Sequence, residues 1–513
     1  MLYVTATMLV LLIAGYFIAR ALVQKQVDAA LQQLPPSLHV SYSTLDVGVL
    51  TGSLVMHGLV ATFVPGADSL HRHRVEVDRV AVGGIRFWAL LSSKRFGAGR
   101  LQVVGGTASL DQYLLDKNLP FPRVQLPFTT AFIDRVECKN IQVEAHKGER
   151  KTAFLKGGGE IDSVVVEGKE GGEHVGAIRL LATEIRYTIP GAGKIVRVSN
   201  LELDSKKGEL RADTIRILPT VGKWEMGRIK GRQVDYVEAS SEGLRVSGLD
   251  VMALLKHRLI ANEISVRQNT VYVFRDRRLP LEPGNKPMPA DYLKNLPVSV
   301  RVGLVKIGTT SFTYEEFPKT GNKTGTLKIV RLKGTISPLI NHPGAGDPAH
   351  ITVRTEGSLM GSGSVEATTS IPLHAGDPYK VEGAFHELDV TSLNSPAENL
   401  GKIHLESGKL NSLAFWFTMD EERATGKIVG EYHDLVVDKL RGNSDDKKVD
   451  KFKSFFLKKL IIPKNKDHTL PESKRTGKVD YKHDPNRYFS YYLLHSLLVG
   501  IKSSFSLGFL LPG

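Results

Sequence analysis

The sequence predicts a mainly β protein, an elongated array of antiparallel strands built from tandem repeats, with helices near its two ends. Three observations support this prediction. Apolar residues recur at every second position along most of the chain, as in strands with one apolar and one wetted face. The 49 glycines and 24 prolines fit many short strands and turns. Finally, two long segments share one plan, as expected for a repeat that stacks on its neighbour.

The first stretch predicts a transmembrane helix over residues 1–23. From Met1 to Ala19 there is no charged residue, and a helix of that length is about 28 Å long, close to the roughly 30 Å hydrocarbon core. Tyr3, Tyr16 and Arg20 lie near its ends, where interfacial anchors belong. The alternative is a cleaved signal peptide. The sequence argues against it, because no basic n-region precedes the apolar run and no clear cleavage site follows it. The distribution of basic residues alone would keep the body in the cytoplasm.

Strand patterns begin after Pro35 and Pro36, which end a short helical continuation. In HRVEVDRVAV four valines alternate with charged residues, with one slip at Asp78–Arg79. Glycine and proline turn signals separate similar segments, and helical windows between them are scarce. The strands are therefore expected to pair antiparallel rather than as βαβ units.

Two segments of the chain read almost alike. The segment Ala89–Leu110, ALLSSKRFGAGRLQVVGGTASL, is similar to the segment Ala253–Phe274, ALLKHRLIANEISVRQNTVYVF. Three pairs of matching residues lie 163 positions apart: Arg95 and Arg258, Leu101 and Ile264, Thr107 and Thr270. Each segment predicts a short helical turn leading into a hairpin-like pair of strands. We therefore divide the body into β units at residues 24–240 and 241–440.

The segment 441–513 differs in character. Between Lys439 and Lys482 there are 14 Lys and Arg against 6 Asp and Glu. VDKFKSFFLKKLII predicts a basic amphipathic helix with an apolar and a basic side: Phe452, Phe456 and Leu460; Lys451, Lys458 and Lys459. It either lies on an anionic membrane surface or caps the open end of the β array. The apolar stretch that follows predicts a docked or interfacial helix.

Motifs for catalysis or cofactor binding are absent from the sequence. Neither a phosphate-binding glycine loop nor a nucleophile elbow occurs, and the arginines in His71–Arg74 oppose a metal ion. Cys138, the single cysteine, reads as a small buried hydrophobe. We therefore expect that the protein is not an enzyme and that it binds no metal ion and no cofactor. The net charge of +14 favours an anionic partner, but no nucleic-acid-binding module is present.

The chain resembles AsmA-like proteins. The resemblance rests on an N-terminal anchor, LPPSLHVSYSTLDVGVLTGSLVMHGLVATF, the valine alternation, the WALL turn and GRLQVVGGTASL, and continues as soft patterns to about residue 440. It implies a single-pass inner-membrane protein with a periplasmic body, whose β units form a twisted, incompletely closed groove. Such grooves bind or transfer phospholipid acyl chains for outer-membrane biogenesis or maintenance. The alternative is a non-catalytic scaffold of the cell envelope.

A curved sheet with one apolar face and few covering helices leaves a concave apolar surface for acyl chains. Six residues of the two matching segments are expected to line this groove: Leu101, Val103, Ile264, Val266, Val271 and Val273. The expected partners are therefore a membrane, a phospholipid or other acyl lipid, and envelope proteins at the groove ends.

Overall fold

The computed structural model describes residues 21, 23–25, 27–29, 31–65, 71–86, 95–116, 130–167, 173–440, 459–460 and 465–505. Over this part of the chain the protein is mainly β, with few helices and a mostly antiparallel sheet that is not closed on itself. The chain divides into two compact units, Met1–Asp213 and Thr214–Gly513. This division falls before residue 240, where the sequence predicted the end of the first unit. It does not separate residues 441–513 from unit 2.

The described residues of unit 1 that precede β11 form ten strands and one short helix, besides helical residues between 21 and 32. The strands are β1 (Leu38–Ser41), β2 (Thr44–Gly48), β3 (Ser53–Phe63), β4 (His73–Gly83), β5 (Arg95–Asp111), β6 (Thr130–Lys147), β7 (Arg150–Glu167), β8 (Glu173–Val175), β9 (Ile178–Ile189) and β10 (Lys194–Asp204), and helix α1 is Gln112–Asp116. Their order in the sheet is β1–β3–β4–β5–β6–β7–β9–β10, with β2 also on β3 and β8 on β7. The boundary between the units falls within β11 (Glu209–Pro219).

Unit 2 contains the remaining elements. The strands are β12 (Tyr236–Ser247), β13 (Arg258–Asp276), β14 (Ser299–Phe317), β15 (Gly325–Ser337), β16 (Leu339–Ile340), β17 (His350–Leu359), β18 (Gly363–Pro372), β19 (Tyr379–Asp389), β20 (Ile403–Met419), β21 (Arg423–Lys439), β22 (Lys459–Leu460) and β23 (Thr476–Lys482). The helices are α2 (Lys223–Lys230), α3 (Val251–Leu254), α4 (Pro289–Lys294), α5 (Asn394–Gly401), α6 (Glu472–Arg475) and α7 (Phe489–Ser504). The order of the unit 2 strands in the sheet is β12–β13–β14–β15–β17–β18–β19–β20–β21–β23, and β16 pairs with β14 and β22 with β21.

The predicted membrane anchor is the main correction. Within the described residues, every helix is too short or too polar to cross a bilayer, since a crossing takes about 20 mostly apolar residues. This finding overturns the single-pass inner-membrane localisation with a periplasmic body. Residues 1–20 of the predicted anchor lie outside the described residues.

The predicted hairpins are also wrong. β5 and β13 are single strands of 17 and 19 residues. The middle of β13 stays in register with β14, with Gln268 opposite Thr309 and Thr270 opposite Ser311. Instead of turning back, each strand pairs in parallel with the next: β5 with β6 and β13 with β14. The two matching segments thus occupy the same kind of strand pair, each reached by a crossover that contains a short helix, α1 or α4.

Interruptions in the pairing let apolar residues keep to one face. Between β13 and β14 the ladder breaks at Asn262 and at Arg267, and between β5 and β6 it breaks at Gly99 and at Gly105. An irregular residue shifts the alternation by one, so side chains an odd number of residues apart can share a face. The slip at Asp78–Arg79 in the sequence is such a break. It lies next to Gly105, whose φ is +61°.

The best-covered part of unit 2 lies over β19–β23. Here α7 packs on β21 and β23, and Val381, Phe417, Ile428 and Val479 are buried in one hydrophobic cluster with Tyr492 of α7. The apolar C-terminal stretch therefore forms a docked helix. It covers the end of the sheet formed by β21 and β23.

His495 of α7 lies between two tyrosine rings. Its imidazole is 3.9 Å from the ring centre of Tyr491 and 5.7 Å from that of Tyr481. Burial lowers the pKa of His495 to about 4, and the positive charges of Arg277, Lys502 and Arg487 act in the same direction. The folded state therefore disfavours the protonated imidazole.

We expect unit 2 to lose stability in acid partly through His495. Below about pH 6.5 the unfolded chain takes up a proton that the folded chain resists down to about pH 4. The expected loss across this window, reduced for partial exposure, is about 2 kcal/mol. His495→Gln should remove that part of the pH dependence in urea titrations, whereas His342→Gln, at an exposed loop position, should leave it. Parallel pH profiles for the wild type and His495→Gln would contradict the assignment.

Candidate functional site

Two rows of apolar residues cross unit 1 from strand to strand. Direct register partners hold their side chains side by side on one face, so each row can be followed through the pairing. The row through Leu101 is Val47, Leu54, Val82, Leu101, Val136, Ile161 and Ile178. The row through Val103 is Leu45, Met56, Val80, Val103, Cys138, Gly159, Leu180 and Leu203. We call these two rows the unit 1 apolar face.

The unit 1 apolar face is only partly covered by the described residues. Apart from Leu45 and Val47 at one edge, which are buried, every member of both rows is half-buried. Cys138 belongs to this face, and burial raises the pKa of its thiol. The position agrees with its reading as a small hydrophobe rather than a reactive thiol.

The opposite face of the same strands is charged. Glu137 is buried there and accepts a hydrogen bond from Gln102 at 3.2 Å. Arg100 and Lys139 form ion pairs with Glu137 at 3.2 and 3.3 Å, and Arg79 donates to Gln102 at 3.1 Å. The sheet of unit 1 therefore has one apolar side and one side stabilised by polar pairs, as an amphipathic sheet requires.

Unit 2 repeats this arrangement around Ile264 and Val266. The row through Ile264 is Val246, Ile264, Val305, Ile336, Val353, Thr369, Val381, Phe417, Gly426 and Val479. The row through Val266 is Val266, Ile307, Gly334, Thr355, Ala367, Gly383, Phe415, Ile428 and Gly477. We call these rows the unit 2 apolar face.

Val271 and Val273 belong to the same side of the sheet. The row through Val271 passes through Phe312 and Ile329 to Leu359. Leu359 packs against the same hydrophobic cluster as Ala367 of the Val266 row. The ladder break at Arg267 accounts for this, because it restores Val271 to the face of Val266 although five residues separate them.

The unit 2 apolar face is filled at one end and half-open at the other. Toward the α7 end of the Ile264 row, Val381, Phe417 and Val479 are buried in the hydrophobic cluster that includes Tyr492 of α7, and Gly426 is half-buried, whereas from Ile264 to Thr369 the row is half-buried. Helix α5 contacts both β15 and β20, with Asn399 donating to the carbonyl of Thr324 at 2.9 Å. The chain itself therefore occupies much of this face.

The structure thus brings the six predicted lining residues onto apolar faces, two in unit 1 and four in unit 2. The predicted basic helix has a different outcome. Lys451, Phe452, Phe456 and Lys458 lie outside the described residues. Lys459 and Leu460 form the two-residue strand β22, opposite Asp438 and Val437 of β21. The helix therefore does not extend over these two residues.

Sequence reasoning missed a polar cluster at one end of β4 and β5. His71 Nδ1 lies 2.9 Å from a carboxylate oxygen of Asp111, and the backbone N–H of Asp111 donates to His73 Nδ1 at 3.1 Å. His73 is buried, and burial lowers its pKa. From the sequence, His71–Arg74 was considered as a metal site, whereas its two histidines bind Asp111 at the end of the neighbouring strand. The alternation of histidine with arginine was the available signal.

Among the described residues no group of histidine, cysteine and carboxylate side chains is arranged to hold a metal ion. No family model matches the chain, and no curated protein matches it either. The AsmA-like resemblance therefore rests on the sequence patterns given above.

Proposed function

We propose that the unit 1 apolar face binds the acyl chains of a lipid. The observation that carries this proposal is the pair of apolar rows crossing seven and eight strands, whose members other than Leu45 and Val47 are left half-buried by the described residues. Eight strands spaced about 4.8 Å apart give a face roughly 34 Å across. Each acyl methylene removed from water on such a face contributes about 0.8 kcal/mol.

The net charge of the chain favours a lipid with an anionic head group. The chain carries a net charge of +14, and an excess of cations attracts phosphate-bearing ligands over a distance set by salt. We further infer that units 1 and 2 are versions of one duplicated lipid-binding unit. Their matching segments occupy equivalent parallel strand pairs, and Leu101 and Ile264 lie in equivalent rows. Binding or transfer of phospholipid, as the AsmA-like resemblance implies, is the role that we propose for this unit.

Lipid content after purification tests the proposal. Val103→Asp places a carboxylate in the apolar row, and we expect phospholipid recovered with the protein to fall at least about tenfold, because an unpaired charge against acyl chains is costly. Val104→Asp is the matched control. Its register partners are Arg79 and Lys139, so the new carboxylate faces the charged side. Lipids would be extracted and quantified by mass spectrometry, with melting curves to confirm folding.

The same pair of changes can be made in unit 2. Val266→Asp alters the apolar row, whereas Ser265→Asp puts the same charge between Arg245 and Lys306. We expect a smaller loss of lipid from Val266→Asp than from Val103→Asp, because the chain fills much of the unit 2 face. Wild-type lipid content in both Val103→Asp and Val266→Asp would overturn the proposal, as would equal losses in their controls.

A second candidate function is a non-catalytic scaffold. The burial of Val381, Phe417 and Val479 in the hydrophobic cluster that α7 completes favours it, because an apolar face filled by its own chain stabilises the fold without binding a ligand. Purified protein that carries no lipid and gains none from vesicles would support this candidate over lipid binding.

A further inference from the structure

The turn that precedes β13 exposes large apolar side chains at one end of the unit 2 sheet. Leu255 is 63% exposed, Met252 47% and Leu254 37%. Leu296, which precedes β14, is 40% exposed and lies at the same end, because the backbone N–H of Ser299 donates to the carbonyl of His257. We call residues 251–258 together with Leu296 the α3 tip. Such a group is not the ordinary scatter of single surface hydrophobes.

The α3 tip is held in place rather than left loose. Asp250 caps α3 by accepting a hydrogen bond from the backbone N–H of Ala253 at 2.8 Å. Val251 and Ala253 are buried and fix the turn to the sheet. Buried and exposed residues therefore alternate along α3: Val251 and Ala253 anchor the turn, and Met252 and Leu254 are exposed.

Basic residues follow the leucines directly. Lys256, His257 and Arg258 are all exposed. Among the acidic groups near this end, Asp250 serves as the cap, and Asp347 is bound by both Nη atoms of Arg301 at 2.7 and 2.8 Å. The α3 tip therefore combines protruding leucines with positive charge.

We infer that the α3 tip docks on the surface of an anionic lipid bilayer. Leucines that protrude beyond a basic collar suit the boundary between head groups and acyl chains, where the leucines bury and the cations meet lipid phosphates. The inference rests on the proposed function in one respect, since a lipid-binding face needs a place where lipid can enter. Leu259, Ala261 and Ile264 lead from the tip onto the unit 2 apolar face, and from Arg258 to Ile264 the strand covers about 20 Å.

The duplicated sequence gives this inference wider reach. ALLKHR at the α3 tip is answered in unit 1 by ALLSSKR, which also has paired leucines followed by basic residues before its strand. Residues 87–94 lie outside the described residues, so the inference is drawn for the α3 tip alone. The exposed leucines of the α3 tip precede the strand pairing of β13, which begins at Arg258, and a docking role accounts for their exposure.

A fluorescent label on the α3 tip tests the inference without relying on total membrane binding. Cys138 is the single cysteine, so a Cys138→Ala background allows one environment-sensitive nitrobenzoxadiazole label at Leu255→Cys. Ile229→Cys is the matched control, because Ile229 on α2 is also 63% exposed. The full-length protein would be mixed with phosphatidylcholine vesicles, with or without phosphatidylglycerol.

We expect the label at position 255 to brighten severalfold and shift to shorter wavelength on the anionic vesicles only, with no change at position 229. Lys256→Glu should weaken this response at least about fivefold, and added salt should weaken it too. Lys380→Glu makes the same charge change at an exposed position of β19 and should have little effect.

Three outcomes would overturn the inference. An unchanged label at position 255 on vesicles that nevertheless bind the protein would assign binding to another segment. A response that follows protein concentration without vesicles, and is lost in Leu255→Ser, would make the tip a contact between two copies of the chain. Equal responses at positions 255 and 229 would show nonspecific adsorption. Lipid content measured by extraction is independent of this label, so a failure of acyl-chain binding and a failure of docking are distinguishable.

Discussion

Gly477→Ala is expected to destabilise unit 2 by about 3 kcal/mol, at the upper end of the range for overpacking. A methyl group at Gly477 of β23 would overlap backbone atoms of Gly500 and Ser504 in α7. Backbone atoms cannot move aside as a flexible side chain can, so α7 has to shift away from the sheet. Urea denaturation measures the loss, and binding of a hydrophobic dye should rise because α7 covers Ile428 and Val479.

Gly222→Ala is the control for this change. Gly222 has an ordinary φ of −67°, and a methyl group there would meet open space. We expect its free energy of unfolding to stay within about 1 kcal/mol of the wild type. If Gly477→Ala were equally mild, α7 would not be packed on β23 as described.

Arg275→Met is expected to cost about 3 kcal/mol. Arg275 donates two hydrogen bonds of 2.7 Å to Asp235, and its side chain is only 14% exposed. The guanidinium also lies over the ring of Tyr488, just before α7. Removing the cation leaves Asp235 partly buried without this partner, which is the costly way to break an ion pair.

Arg301→Met tests whether burial, rather than geometry, sets this cost. Arg301 binds Asp347 with the same two-pronged geometry, at 2.7 and 2.8 Å, but its side chain is 48% exposed. Because water screens the more exposed Arg301 guanidinium, we expect a clearly smaller loss than for Arg275→Met. Chemical denaturation of both variants gives the comparison. Similar losses for Arg275→Met and Arg301→Met would show that burial does not control the strength of these pairs.

Much of the sheet was predictable because strand patterns are local. Alternation identified the mainly β, antiparallel character, and the slip at Asp78–Arg79 marked a real break in the pairing. The spacing of 163 residues found equivalent strands, so Leu101 and Ile264 occupy equivalent rows. The predicted hairpins were wrong, because β5 and β13 each continue as one strand. In the folded chain β12 and β14 pair with β13 on its two sides and satisfy its backbone hydrogen-bonding groups. β13 therefore continues as one strand from Arg258 to Asp276.

The sequence by itself determined which residues are apolar, that they alternate, and that the pattern occurs twice. Only the tertiary structure decided how those residues join into rows, because register depends on partner strands far away in the chain. It also decided which part of the apolar surface is filled. The burial of Ile428 and Val479 depends on α7, which lies after them in the chain and docks through the close approach of Gly477 and Gly500. Local periodicity carries no information about that contact, whereas the half-buried rows of unit 1 follow from the absence of such a helix among its described residues.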